Sequence, residues 1–462
     1  MKKHIIITGL ALIATFATMS FARVGIDTKN EDVDLGIGAD AWMENGQYAF
    51  YFNKGAEKEH QWINRTFLNL CIDAVIKEHV KIELGIEGRM WLNIPKGGGT
   101  GQAMYNHKLN SNFIIDRANG NYFLGDVNSP LFEAGFGRFA FKYNQDVRNL
   151  GEYLFRSGTY PAYLINNFDL TFARVTGFKL SSNLFSKWHH DLLLTFETDI
   201  PPFYDASLTY LTDVLIGGFF NIGAGLQFAH LISVDNNQTT PEVIQGTSNP
   251  TTRNMFVTTN GDTGHYSFRG TKLMGRISFN PIELVNKIFS VDLDFFGPED
   301  FKIYSEAAIL GLKNYPKNDS VPTGVSTYTA GKNIWGYDIL GNKIPIVFGI
   351  NIPTFKILDV LAFEAEWYGC TYSNNYFTQL GVGPGQSYPI PDYSNRFDYT
   401  KDNWKWSLYA KKKFSDDRLG VVAQLARDHI RAETLIDEAA DLEQALRSPK
   451  HLWWMVKFLA SF

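Results

Sequence analysis

The chain has 462 residues, 45% of them hydrophobic, 20% charged and 15% aromatic, with 40 Gly and two Cys. That composition excludes a disordered chain, a disulfide scaffold and a collagen-like repeat. A balance of 43 basic against 48 acidic residues, net −5, leaves no basic footprint for nucleic acid.

The first segment reads as a targeting signal. Met1-Lys2-Lys3 is a short cationic start, an apolar run extends from Ile5 to Phe21, and Ser20 and Ala22 place small residues before the Ala22–Arg23 bond. The expectation is a signal peptide over 1–22 and a single domain over 23–462. After Phe21 no apolar stretch is long enough for a membrane helix, so export delivers either a soluble protein or a β-barrel.

The strongest signal further on is alternation with a period of two over about ten residues, the length of a tilted strand crossing a bilayer. Leu68, Leu70 and Ile72 oppose Asn69, Cys71 and Asp73; Ile82, Leu84 and Ile86 oppose Lys81, Glu83 and Glu87. The pattern returns at 192–199, 220–228, 272–279 and 361–367. Each segment has one face suited to lipid and one suited to water, and their number favours a membrane barrel over a soluble sandwich.

The chain ends HLWWMVKFLASF, with Trp454, Val456, Phe458, Ala460 and Phe462 on one face. This resembles the closing strand of bacterial outer-membrane proteins, and the architecture of the whole resembles the broad class of porin-like outer-membrane barrels of Gram-negative bacteria. The resemblance implies that Phe462 and the alternating positions before it are read by the barrel assembly machinery. It implies lipid of the cell outer membrane as a partner, and a homotrimer is common among such porins.

With both termini at the periplasmic side, parity gives an all-β, antiparallel transmembrane barrel of about sixteen strands: 35–44, 62–76, 80–92, one within 111–124, 131–143, 164–181, 189–200, 207–216, 219–232, 268–279, 301–313, 344–353, 358–372, 403–414, 419–430 and 451–462. Eighteen strands result if hairpins such as 46–52 are promoted. The outer loops are long, and 432–447 reads as one short helix near the C-terminus. Trp404, Trp406, Trp453 and Trp454 suit an interfacial aromatic girdle.

Sixteen strands enclose a lumen too wide for their own side chains to fill. Lumen-facing charges of both signs are Lys81, Glu83, Glu87, Arg89, Glu197, Lys272, Arg276, Glu306, Glu364, Glu366 and Lys411, a mixed lining compatible with neutral solutes such as sugars. In sixteen-strand porins the loop after the fifth strand folds inward. That resemblance makes Arg148, Glu152, Tyr153, Arg156 and Tyr160, within 145–161, the candidates for a constriction.

Other motifs are weak. Gly97–Gly101 and Gly381–Gly385 lack the strand–helix context of phosphate loops. Asp235-Asn236-Asn237-Gln238 and Asn260-Gly261-Asp262 lack the twelve-residue calcium loop. His189 and His190 point to opposite faces, and Cys71 and Cys370 lie on distant strands. The expectation is no metal, no cofactor and no enzyme. The expected activity is passive diffusion of small hydrophilic solutes; the alternative is a closed or structural barrel that displays outer loops to a polysaccharide or partner.

Overall fold

The structure, a computed structural model, describes residues 24–26, 33–50, 61–94, 110–157, 173–198, 204–232, 255–258, 263–265, 270–312, 320–321, 340–369, 404–427 and 452–461, apart from positions 126, 128–129, 186 and 416. Among these, sixteen strands form one closed antiparallel barrel. They are β1 (Val33–Phe50), β2 (Gln61–Ile76), β3 (Val80–Ile94), β4 (Asn110–Leu124), β5 (Phe132–Phe141), β6 (Ala173–Phe185), β7 (Trp188–Phe196) and β8 (Ala206–Ile216). The second half comprises β9 (Phe220–Ile232), β10 (Gly270–Phe279), β11 (Ile303–Ile309), β12 (Pro345–Asn351), β13 (Val360–Tyr368), β14 (Trp404–Phe414), β15 (Leu419–Arg427) and β16 (Leu452–Ser461). All sixteen predicted strands have a counterpart, and 46–50 continues β1 instead of opening an extra hairpin. The sixth strand runs on to Phe185, past its expected end; 158–172 lie outside the described residues, as does the predicted helix 432–447.

Each strand pairs with its sequence neighbour, and β16 closes the ring on β1 from Asp40↔Ser461 to Phe50↔Leu452. The short strand Val24–Ile26 pairs with Leu35–Ile37, on the stretch of β1 beyond the end of β16. Closure removes the unpaired edges that would otherwise expose backbone amides, which a bilayer cannot satisfy.

Alternation then decides the two surfaces. Leu68, Leu70, Ile72, Ile82, Leu84, Ile86, Phe136 and Phe178 stand exposed on the outside, the exterior of a transmembrane barrel. Trp404 is exposed on that side, whereas Trp453 is buried on the opposite face among the inward residues of β16. The girdle therefore loses Trp453: neighbours along a strand point to opposite faces, so Trp453 and Trp454 cannot share one.

One end of the barrel carries the tight turns, and both described ends of the chain lie there. The exception among those turns is 280–302, which holds the helix α2 (Pro281–Phe289). Asn280 caps it, its side-chain oxygen accepting from the N–H groups of Ile282 and Glu283 at 3.1 and 3.3 Å. The four-residue α1 (Tyr153–Arg156) belongs to the connection that follows β5.

Candidate functional site

The connection after β5 turns into the barrel and packs on the inner wall. Val147, Leu150, Tyr153 and Leu154 are buried against Leu193 of β7, Leu211 of β8, Met274 of β10, Tyr304 and Ala308 of β11, and Val347 of β12. Each such apolar side chain taken fully from water contributes on the order of 1.5–3 kcal/mol. Gly225 on β9 makes room for this contact: a Cβ there would sit 2.7 Å from Leu154 Cδ1.

Two wall carboxylates hold the backbone of this loop. Glu364 on β13 accepts from the N–H groups of Arg148 (2.5 Å), Asn149 (2.9 Å) and Leu150 (2.9 Å), and from the Tyr304 hydroxyl (2.9 Å). Glu306 on β11 accepts from the N–H groups of Glu152 (3.2 Å) and Tyr153 (3.0 Å), the Tyr143 hydroxyl (2.6 Å) and the Asn144 amide (2.7 Å). Glu366 takes the Tyr153 hydroxyl at 3.0 Å, and Lys272 donates to the carbonyls of Leu154 (2.8 Å) and Ser157 (2.6 Å). Loop N–H groups that no ladder pairs thus find anionic acceptors, which form stronger bonds than neutral ones.

Strand register sets this grip. Glu306 and Glu366 both lie opposite Val347, while Tyr304 and Glu364 both lie opposite Gly349. A Cβ on Gly349 would lie 2.1 Å from the Tyr304 ring, so only glycine lets that ring cross the strand to its carboxylate. On the loop side, Gly151 (φ 87°) and Glu152 (φ 59°) are both left-handed, which turns the amides of residues 152 and 153 towards Glu306.

Of the predicted constriction residues, Glu152 and Tyr153 are buried in this packed loop. Arg148 reaches the barrel's tight-turn end, where it pairs with Glu299 at 2.6 Å, and Arg156 donates to the Asn149 carbonyl at 2.8 Å. Tyr160 lies outside the described residues. Of the predicted lining, Lys272, Glu306, Glu364 and Glu366 face inward but lie beneath the loop; Glu306 is 1% exposed and Glu364 0%. Glu87 and Arg89 are also buried: Arg174 bridges Glu87 and Asp116 at 2.6 Å each, and Arg89 pairs with Glu87. Lys81 and Glu83 form a half-exposed pair at 2.7 Å, and Arg276 pairs with Asp213 at 3.2 Å. Glu197, just past β7, donates its N–H to the Asp205 carbonyl, and Lys411 borders an inner cavity.

Sequence reasoning missed Lys142, Tyr143, Asn144, Val147 and Leu150. A signal for their docking site was present: Leu193, Leu211, Met274, Ala308 and Val347 are apolar at inward positions of five of the six strands from β7 to β12, where a water-filled lumen has no use for them.

Burial, and then the neighbouring Glu306, push the Glu152 carboxyl well above its ordinary value of 4.5, while Arg156, Lys142 and the Asn144 N–H act the other way. A loop freed from the wall returns Glu152 to its ordinary value. The docked loop therefore binds a proton more readily than the free one, and docking weakens as pH rises from about 4.5 towards 8. Hydrogen exchange at the amides of residues 148–153, corrected for the intrinsic rate, should quicken over that window in the wild-type barrel and show no such trend in Glu152→Gln. A flat wild-type profile would show that this carboxyl does not bias the loop.

No family model matches the chain, and no curated protein matches it. Among solved structures it is similar to a triple mutant of the Rhodopseudomonas blastica porin (6% identity, TM-score 0.40, covering 93% of this chain and 100% of that one). The outer membrane channel DcaP of Acinetobacter baumannii gives 11% identity, a TM-score of 0.41 and coverage of 94% and 98%. Pseudomonas putida OprB gives 8%, 0.39, and 94% of both chains. In its own registers the chain is a closed antiparallel β-barrel of sixteen strands, with the described part of the loop after its fifth strand docked inside the ring.

Proposed function

We propose that the protein is a channel of the bacterial outer membrane through which small hydrophilic solutes diffuse passively. One observation carries the reading: the loop after β5 docks against β7–β13, and a cavity of about 490 Å³ remains between it and β14, bordered by Lys142, Gln145, Arg148, Tyr409 and Lys411. A loop fixed to one wall narrows a lumen without filling it. Arg148 borders the narrow passage, while Glu152, Tyr153 and Arg156 support it; Tyr160 is assigned to the same loop.

The same reading has the tight-turn end in the periplasm and the long connections outside. It has a signal peptide cleaved after Ala22, insertion by the barrel assembly machinery through Trp454, Val456, Phe458, Ala460 and Phe462, and association as a homotrimer. Sugars are the neutral solutes to try first, because most wall charges are paired with an opposite charge.

Liposome swelling with sugars of graded size tests the reading. Swelling rates should fall steeply with sugar size, as a narrowed passage requires. Liposomes that hold folded barrel yet do not swell in the smallest sugar would favour the alternative, a closed barrel displaying its outer loops, 367–400 among them, to a polysaccharide or partner.

A further inference from the structure

We propose that Lys142, Arg148 and Lys411 form an anion-attracting station in the passage, suited to small dianionic solutes such as dicarboxylates. The station rests on the channel reading for its role in transport, but not for its chemistry. The inner wall elsewhere neutralises itself: Glu44 pairs with Lys457 at 2.5 Å, Glu133 with Lys179 at 2.7 Å, and Glu87 and Asp116 share Arg174. The cavity beside the loop departs from this pattern. Three cations border it and no carboxylate does.

Each cation comes to the cavity through a different local arrangement. Lys411 on β14 has Val360 and Val422 as its two register neighbours, so no acid lies directly opposite it on either adjacent strand. Lys142 turns its ammonium onto a neutral acceptor, the Val147 carbonyl at 2.6 Å. Among the described residues neither lysine has a carboxylate within 4 Å. Arg148 shares Glu299 with Lys302, which also pairs with Asp146 at 3.1 Å, and the buried Arg148 Nε makes no hydrogen bond among the described residues. The Tyr409 phenol on the cavity wall adds a neutral donor.

A passage with low-dielectric walls and unmatched positive charge concentrates anions over cations. Two ammonium groups and a guanidinium around one cavity favour a solute carrying two negative charges over one carrying a single charge. Neutral solutes still pass, because nothing in the cavity excludes them.

The test uses the purified full-length barrel, its folding checked by heat-modifiable gel migration. Reversal potentials in a potassium chloride gradient should show chloride preferred over potassium. Lys142→Gln with Lys411→Gln should reduce that permeability ratio roughly threefold, and Lys142→Arg with Lys411→Arg should restore it. Lys413→Gln, which removes a cation already paired with Asp417 and absent from the cavity, should leave the ratio unchanged. Calorimetric titration with malonate reads the site without needing a current, and its heat should vanish in the double glutamine variant. Currents that prefer potassium, or a ratio the glutamines do not change, would overturn the station and leave the channel standing. Silent bilayers with malonate heat that the glutamines abolish would overturn the channel and leave the site. Silence with no malonate heat would overturn both.

Discussion

Glu306→Ala combined with Glu364→Ala should raise single-channel conductance by about twofold or more and add rapid flicker, because the lumen widens once its narrowing loop leaves the wall. The two carboxylates accept eight hydrogen bonds, five of them from loop N–H groups. Bonds to a charged group are worth about 1.5–3 kcal/mol each, and the freed amides recover part of that by meeting water in the lumen. The apolar contacts of Val147, Leu150 and Leu154 are too few to hold the segment alone once the amides prefer water. Glu364→Gln should give an intermediate effect, since an amide keeps one accepting oxygen and turns an NH2 group towards donors. The barrel itself should survive, because its ladder does not involve these side chains. Planar-bilayer recording of the three proteins is the measurement, and conductance and noise equal to wild type would show that these carboxylates do not hold the loop.

Gly46→Val should largely abolish the folded, heat-modifiable barrel. Gly46 lies opposite Met455 in the closing β1–β16 pair, where a Cβ would sit 2.3 Å from the Trp454 carbonyl oxygen. No rotamer relieves a collision between Cβ and backbone, so the two strands must part where the ring closes. Separation leaves ladder amides unpaired in hydrocarbon, at several kcal/mol per group. The same seam carries Glu44 and Lys457, with the Lys457 ammonium 5.5 Å from the Trp42 ring centre, so an opened seam strands a buried charge as well. Gly46→Ala should lose folded barrel as well, because its methyl group is the very Cβ that meets the Trp454 carbonyl, and valine adds two further methyls to the same collision. Gly275→Ala is the control: a Cβ there meets nothing within 4 Å, and the yield should match wild type. Gel migration with and without heating measures all three, and a normally folded Gly46→Val protein would contradict the closure described above.

Much of the barrel was legible because a strand's face is a local property. Leu68 and Asn69 declare their sides from adjacent positions, and connection lengths fix direction by parity. Inner coverage was not local in this way. Glu364 and the amide it holds at Arg148 lie 216 positions apart, and Glu306 and Tyr143 lie 163 apart. Alternation assigned both glutamates to the inner face and treated an inward charge as one facing water. What it could not see is that Tyr143, Val147 and Leu150 cover them. Trp453 shows the reverse error: a girdle assigned by residue type ignored a side that the alternation of Trp454 and Val456 had already decided.

The most direct measurement is single-channel recording of the wild-type protein in planar bilayers. A ring of sixteen strands with its loop held to one wall should give discrete ohmic steps of uniform size, smaller than those of the Glu306→Ala, Glu364→Ala variant. Folded protein that inserts into the bilayer and carries no current would contradict an open lumen.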